Sequence, residues 1–151
     1  FEILGIRMNL SDLIEKHRPE ESDLQPWRRP YLIAEAGVNH EGNMDLAKRL
    51  IEEAQEGGAD AIKFQTYKAG KLVVRNAPKY WYDPGERAAN QYEMFSQLDM
   101  FNEPEWKRLI TKCNDAGITF MSSAWDEESV DMLDQAMPTL GNQLESVTES
   151  V

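Results

Sequence analysis

Two ionisable side chains stand inside runs that otherwise read as buried β-strand. Lys63 interrupts Ala61-Ile62-Lys63-Phe64, and Glu35 follows Leu32-Ile33-Ala34. A charge in a strand covered on both faces is costly unless it faces a polar cavity or meets an opposite charge. Three readings of Lys63 follow: an anion-binding lysine for phosphate or carboxylate, a Schiff-base lysine, or a lysine at a solvated sheet edge. Glu35 reads as a salt-bridge partner of Lys63 or another buried cation, or as an acid that orients substrate, and the two roles are compatible. Gln65 lies two residues beyond Lys63 and so points to the same side of a strand. A lysine and an amide on one face suit an acid or a sugar. Ser122 and Ser123 close a third apolar stretch, where hydroxyls or backbone N–H groups can bond a phosphate, although serines are also common at strand ends.

The remaining chemistry-bearing residues are less specific. Asn39 and His40 lie in the turn-forming stretch Asn39-His40-Glu41-Gly42-Asn43. His40 with Glu41 suggests metal or acid–base work, but the HExxH pattern needs a histidine where Met44 stands. A loop histidine bonded to backbone serves equally well. With only His17 and His40 in the chain, a His-rich metal site is not available. Tyr80-Trp81-Tyr82 is either a stacking platform for a sugar or the packing of a long loop. The acidic run Asp126-Glu127-Glu128 reads as a helix first turn favoured by the helix dipole.

The elements that must position these residues alternate in type. Tyr31–Ala36 reads as a buried strand bounded by Gly37. A helix follows over Met44–Glu56, with Leu46, Ala47, Leu50, Ile51 and Ala54 on one face, Asn43 as cap and Gly57-Gly58 as stop. Ala59–Gln65 is a second strand, so strand, helix and strand form a βαβ unit with parallel strands. Thr66–Asn90 reads as a long loop, and Gln91–Gln97 as a helical turn. Asn102-Glu103-Pro104-Glu105 opens a helix that stops at Gly117. Thr119–Ser123 is the third strand, and Asp126 opens another helix. Parallel α/β folds bind ligands at the carboxyl ends of their strands, where Glu35, Asn39, His40, Lys63, Gln65, Ser122 and Ser123 all fall. Three regions result: a polar leader over 1–29 with a short helix expected near Asn9–Lys16, parallel βα units over 30–134, and a tail without periodicity over 135–151.

Composition narrows the function. The 151 residues carry 16 Lys+Arg against 27 Asp+Glu, a formal net charge of −11. This argues against a nucleic-acid binder working through a broad basic surface, while leaving room for one small basic pocket. No apolar run approaches the roughly 20 residues of a membrane span, and the start of the chain shows no signal-peptide pattern. The single cysteine, Cys113, excludes an internal disulfide. Its helical spacing from Trp106, Leu109 and Ile110 marks it as a buried thiol, at home in a reducing cytoplasm.

Three stretches together resemble the sialic acid synthase (N-acetylneuraminate synthase) family. They are Pro30-Tyr-Leu-Ile-Ala-Glu-Ala-Gly-Val-Asn-His-Glu-Gly-Asn43, Gly58-Ala-Asp-Ala-Ile-Lys-Phe-Gln-Thr66 and Phe120-Met-Ser-Ser-Ala-Trp-Asp-Glu-Glu-Ser-Val130. The resemblance implies a TIM-type (β/α)₈ barrel and the condensation of phosphoenolpyruvate with an N-acylmannosamine, or its 6-phosphate, to a nine-carbon 2-keto acid with release of phosphate. It places Lys63 at the phosphoenolpyruvate site, Ser123 at its phosphate, Gln65 near the sugar, and Glu35 at the floor of the site. It also implies a divalent metal, Mn or Mg, whose histidine ligands lie on later strands. This chain has Ser122-Ser123-Ala124-Trp125 where the family commonly has Ser-Thr-Pro-Phe. A complete barrel takes about 250 residues, so three βα units make an N-terminal fragment. Its open sheet edges predict self-association, and the resemblance, which puts the metal and its ligands on later strands, implies no turnover by the chain alone. The competing readings are a catalytically inert partial-barrel binding module, and a Schiff-base aldolase using Lys63.

Overall fold

A computed structural model describes residues 29–80, 85 and 87–136, together with 11, 14, 15 and 18. The chain divides into two units: Leu32–Ala136, and Phe1–Tyr31 with Met137–Val151. In the second unit Arg18 pairs with Glu15 at 2.9 Å. Most of the expected leader helix, residues 137–151 of the expected tail, Trp81 and Tyr82 lie outside the described residues.

The unit Leu32–Ala136 alternates strands and helices: β1 (Ile33–Gly37), α1 (Met44–Glu56), β2 (Ala61–Thr66), α2 (Ala69–Leu72), α3 (Gln91–Leu98), α4 (Glu103–Ala116), β3 (Thr119–Ala124) and α5 (Glu127–Ala136). The three strands form one parallel sheet in the order β1-β2-β3. Helix α1 has the bounds its pattern predicts. Asn43 Oδ1 accepts from the N–H groups of Asp45 and Leu46, which would otherwise lack partners. At the start of α4, the Glu105 carboxylate accepts from the backbone N–H of Asn102 at 3.1 Å. Gly117, at φ +69, ends that helix in the left-handed conformation.

One face of the sheet is covered by helices. Ile62 and Phe64 of β2 and Phe120 of β3 point to this side, against Ile51 of α1, Trp106, Leu109 and Cys113 of α4, and Leu133 of α5, all buried. Phe64 stacks on Phe120 with ring centroids 5.7 Å apart, and Trp106 meets Phe64 edge-on at 6.0 Å. Each such side chain contributes about 1.5–3 kcal/mol through burial. Cys113 is the structural thiol its spacing predicts, fully buried, with its pKa pushed up to about 12 by desolvation.

One local expectation is corrected. The long loop after β2 contains the one-turn helix α2, too short to show periodicity. Of the cluster Tyr80-Trp81-Tyr82 only Tyr80 is described: its side chain is exposed, and its backbone N–H donates to Gln91 Oε1 at 3.0 Å.

Candidate functional site

Strand alternation decides which side chains meet. On β2, Ile62, Phe64 and Thr66 face the helices, so Lys63 and Gln65 face the other side. Register carries the pattern to the neighbours: Glu35 pairs with Lys63, Lys63 with Met121, and Gln65 with Ser123. Glu35, Lys63, Gln65 and Ser123 therefore share the face turned away from the helix layer, Glu35 and Lys63 midway along their strands and Gln65 and Ser123 nearer the carboxyl ends. Lys63 Nζ lies 2.5 Å from Glu35 Oε2, with the side chains about one-third and one-half exposed. The two charges that interrupt the apolar strands thus neutralise one another, at a partly solvated rim.

The end of β1 is shaped for this pair. The register slips between Glu35 and Gly37, so two steps along β1 match one along β2. Such a bulge re-aims the side chains beside it. Gly37 stands at φ +53, and a Cβ there would lie 3.3 Å from Glu35 Oε1 and 3.7 Å from Gln65 Nε2. Carboxylate and amide therefore flank one small space above Gly37. Gly37→Ala is expected to lower the unfolding free energy by about 1–2 kcal/mol, chiefly through the left-handed backbone, and to displace Glu35. Denaturant unfolding checks the first effect. The Lys63 side-chain signals in NMR check the second.

Two of the expected residues do not join the group. Ser122 follows Phe120 by two, so it faces the helices, and its Oγ is 2.6 Å from Thr66 Oγ1. Its hydroxyl meets Thr66 there, on the helix side of the sheet. His40 is 1% exposed and stacks on Phe101 with centroids 4.5 Å apart, beside Phe64 and Trp106. Its Nδ1 accepts the Gly42 N–H at 3.1 Å, and burial lowers its pKa to about 4. It is the loop histidine bonded to backbone, set in an aromatic core. Asn39 is exposed in the turn after β1, its N–H bonded to the Ala36 carbonyl at 2.9 Å.

Sequence reasoning also missed a polar knot behind the rim. Lys68 Nζ lies 3.1 Å from Asp99 Oδ1, and Asp99 Oδ2 accepts from Ala69 N–H at 3.0 Å. Asp126 is the cap of α5 rather than part of its first turn. It accepts from the Ser129 N–H and hydroxyl, and from the Lys68 N–H at 2.8 Å. These bonds hold its carboxyl below the usual carboxylate range, against the opposing effect of desolvation. The spacing Asp126-x-x-Ser129 was the available signal. Among the described residues no three His, Cys, Asp or Glu side chains gather as a metal ion needs. No helix among them is long and apolar enough to cross a membrane.

Parallel strands with helices on one face make this a βα-type domain, a class that takes ligands at the carboxyl ends of its strands, where Gln65 and Ser123 stand. Comparison with known proteins gives the particular family. A model of the NeuB family matches residues 50–140. The N,N'-diacetyllegionaminic acid synthase of Legionella pneumophila is 45% identical over 105 residues, covering 68% of this chain and 29% of its own length. The N-acetylneuraminate-9-phosphate synthase of Mus musculus is 34% identical over 103 residues, again covering 68% of this chain and 29% of its own length. The crystal structure of an N-acetylneuraminic acid synthetase from Leptospira borgpetersenii, in complex with citrate, superposes with a TM-score of 0.58 at 28% identity, over 71% of this chain and 33% of that one. The chain belongs to the NeuB family, and its three parallel βα units match part of a TIM-barrel structure of that family. It spans about 30% of the length of the curated relatives it matches.

Proposed function

We propose that the chain supplies the phosphoenolpyruvate-receiving part of a synthase that condenses phosphoenolpyruvate with an N-acylated amino sugar. The observation that carries this reading is the Lys63–Glu35 pair midway along β1 and β2, on the strand face that leads to Gln65 and Ser123, in a chain of the NeuB family. In the reaction, C3 of phosphoenolpyruvate bonds to the sugar's aldehyde carbon, whose oxygen takes up a proton. Water oxygen bonds to C2, the C2–O bond to phosphorus-bearing oxygen breaks, and inorganic phosphate leaves. Lys63 and the Ser123 hydroxyl receive the anionic end of phosphoenolpyruvate, because an ammonium with a neutral donor beside it replaces the hydration that phosphate loses. Glu35 orients Lys63 and lies, with Gln65 and Asn39, on the sugar's side. Ser122 and His40 are left out of this reading, because the Ser122 hydroxyl is turned to Thr66 and the His40 ring is buried with Nδ1 on the Gly42 N–H.

The Schiff-base aldolase reading is disfavoured by the ion pair, since an ammonium bound to a carboxylate has no lone pair to attack a carbonyl. A reducing, cytoplasmic setting suits the buried free thiol of Cys113. Among the described residues β1 and β3 each have a strand on one side only, so the chain is expected to self-associate. Sedimentation velocity should show dimers or larger species, and a sharp monomer boundary at high concentration contradicts this.

The decisive experiment is a chimera in which residues 32–136 replace the matching segment of the Legionella enzyme. The reading predicts retained turnover, measured as phosphate release and as the keto acid formed. The chain alone should bind phosphoenolpyruvate without turnover. A folded chimera that turns over equally well with Lys63→Ala refutes the assignment.

A further inference from the structure

Beside Gln65 the structure holds a cavity of about 490 Å³, walled by Val38, Tyr67, Leu72, Phe95, Leu98 and Trp125 among others. Its walls come from the turn after β1, the residue following β2, helices α2 and α3, and the residue following β3. The polar side chains that line it, Gln65, Tyr67 and Gln97, are all uncharged. Nearby cations are engaged elsewhere: Lys68 with Asp99 at 3.1 Å, and Lys71 facing Glu128 at 3.9 Å. Gln65 belongs both to this cavity and to the Lys63 face, so a ligand whose polar groups meet Gln65 places its next group among apolar walls. A phosphate there would lose hydration without gaining a cation, whereas an alkyl group gains from leaving water. Trp125 sits at the cavity, the residue 55% exposed, while its backbone N–H is fixed to the Thr66 carbonyl at 3.1 Å. A ligand covering the Trp125 ring buries a large apolar area on a rigid support.

We infer that this cavity takes an uncharged, apolar substituent of the amino-sugar acceptor, such as its N-acyl chain, and rejects a phosphorylated sugar, with Trp125 as the specificity-determining wall. The inference rests on the synthase reading for the identity of the acceptor, but not for the chemistry of the cavity.

The test titrates the 151-residue chain with N-acetyl-, N-butanoyl- and N-hexanoylmannosamine and with N-acetylmannosamine 6-phosphate, followed by NMR shifts of the tryptophan indole N–H groups. Phosphoenolpyruvate is titrated in parallel. Affinity is expected to rise about fourfold per buried methylene, and the 6-phosphate to bind at least about tenfold more weakly than its parent sugar, a charge being dearer to desolvate than a hydroxyl. Trp125→Ala, at a half-exposed position that spares the core, should cut the chain-length gain by more than half. Val73→Arg, which puts a cation on the wall, should restore binding of the 6-phosphate. Affinity independent of acyl length, equal binding of the 6-phosphate, or no binding of any of the four sugars overturns the inference. Loss of phosphoenolpyruvate binding alone, with the acyl-length dependence intact, instead rejects the role of Lys63 and leaves the cavity assigned.

Discussion

Lys63→Ala is expected to weaken binding of phosphoenolpyruvate to the chain by about 10- to 100-fold at pH 7, the range that follows from losing one charge-assisted contact to an anion. Isothermal titration measures it. Folding should change little. The pair is one-third and one-half exposed, and ion pairs at such positions contribute about 0–1 kcal/mol. The large effect on binding with a small effect on stability separates an anion-receiving lysine from one that only closes a salt bridge. Glu35→Gln supplies the opposite sign. Its carboxylate competes with an incoming anion for Lys63, so the neutral amide should tighten phosphoenolpyruvate binding severalfold. The same substitution should lower turnover in the chimera if the carboxylate orients the lysine during reaction. Equal binding by wild type and Lys63→Ala, with both folded, removes the basis of the proposed function.

The pairing itself was legible because a charge inside an apolar strand has few inexpensive destinations. Two such charges on adjacent parallel strands resolve each other, and Glu35 and Lys63 do so at 2.5 Å. Helix α1 was legible to its ends because Asn43 and Gly57 act locally, with no need of tertiary context. Ser122 could have been placed correctly from the same rule that placed Gln65. It follows Phe120 by two residues, and Phe120 is core. The bulge between Glu35 and Gly37 was not legible, because strict alternation puts Glu35 and Gly37 in register and nothing local to the sequence demands the slip. The cavity beside Gln65 was out of reach for a different reason. Val38, Leu72, Phe95 and Trp125 lie on four separate segments, and only the closed fold brings them to one wall. His40 shows the limit most clearly. Its residue type allows ligand, base or core, and the choice is made by Phe101 and Trp106, more than 60 residues away in sequence.

That placement makes His40 an acid-sensitive point in the core. Nδ1 accepts the Gly42 N–H, so the neutral ring carries its proton on Nε2, which is buried without a partner among the described residues. Protonation would put a second donor opposite the Gly42 N–H and a positive charge in a site closed to water. The faces of Phe101 and Phe64 offset only part of that cost, and the pKa falls from 6.5 to about 4. A folded-state pKa below the unfolded value means that the unfolded chain binds the proton more readily. The stabilisation is therefore complete above pH 6.5 and is lost as pH falls toward 4. Across that window the loss amounts to about 3 kcal/mol, a large share of a small domain's total stability. Urea unfolding of the chain at intervals between pH 7 and pH 4 should show this decline. His40→Asn, whose side-chain oxygen can still accept from Gly42, should be less stable at pH 7 but nearly flat from pH 6.5 to 4.5. The carboxylates whose pKa values are lowered act elsewhere on the scale. Asp126, capped by Ser129 and the Lys68 N–H, and Glu52, paired with Lys112, lose their contribution only as pH falls through and below the ordinary carboxylate range. A His40→Asn profile as steep as wild type above pH 4.5 would assign the acid sensitivity to other groups and contradict the buried, neutral histidine.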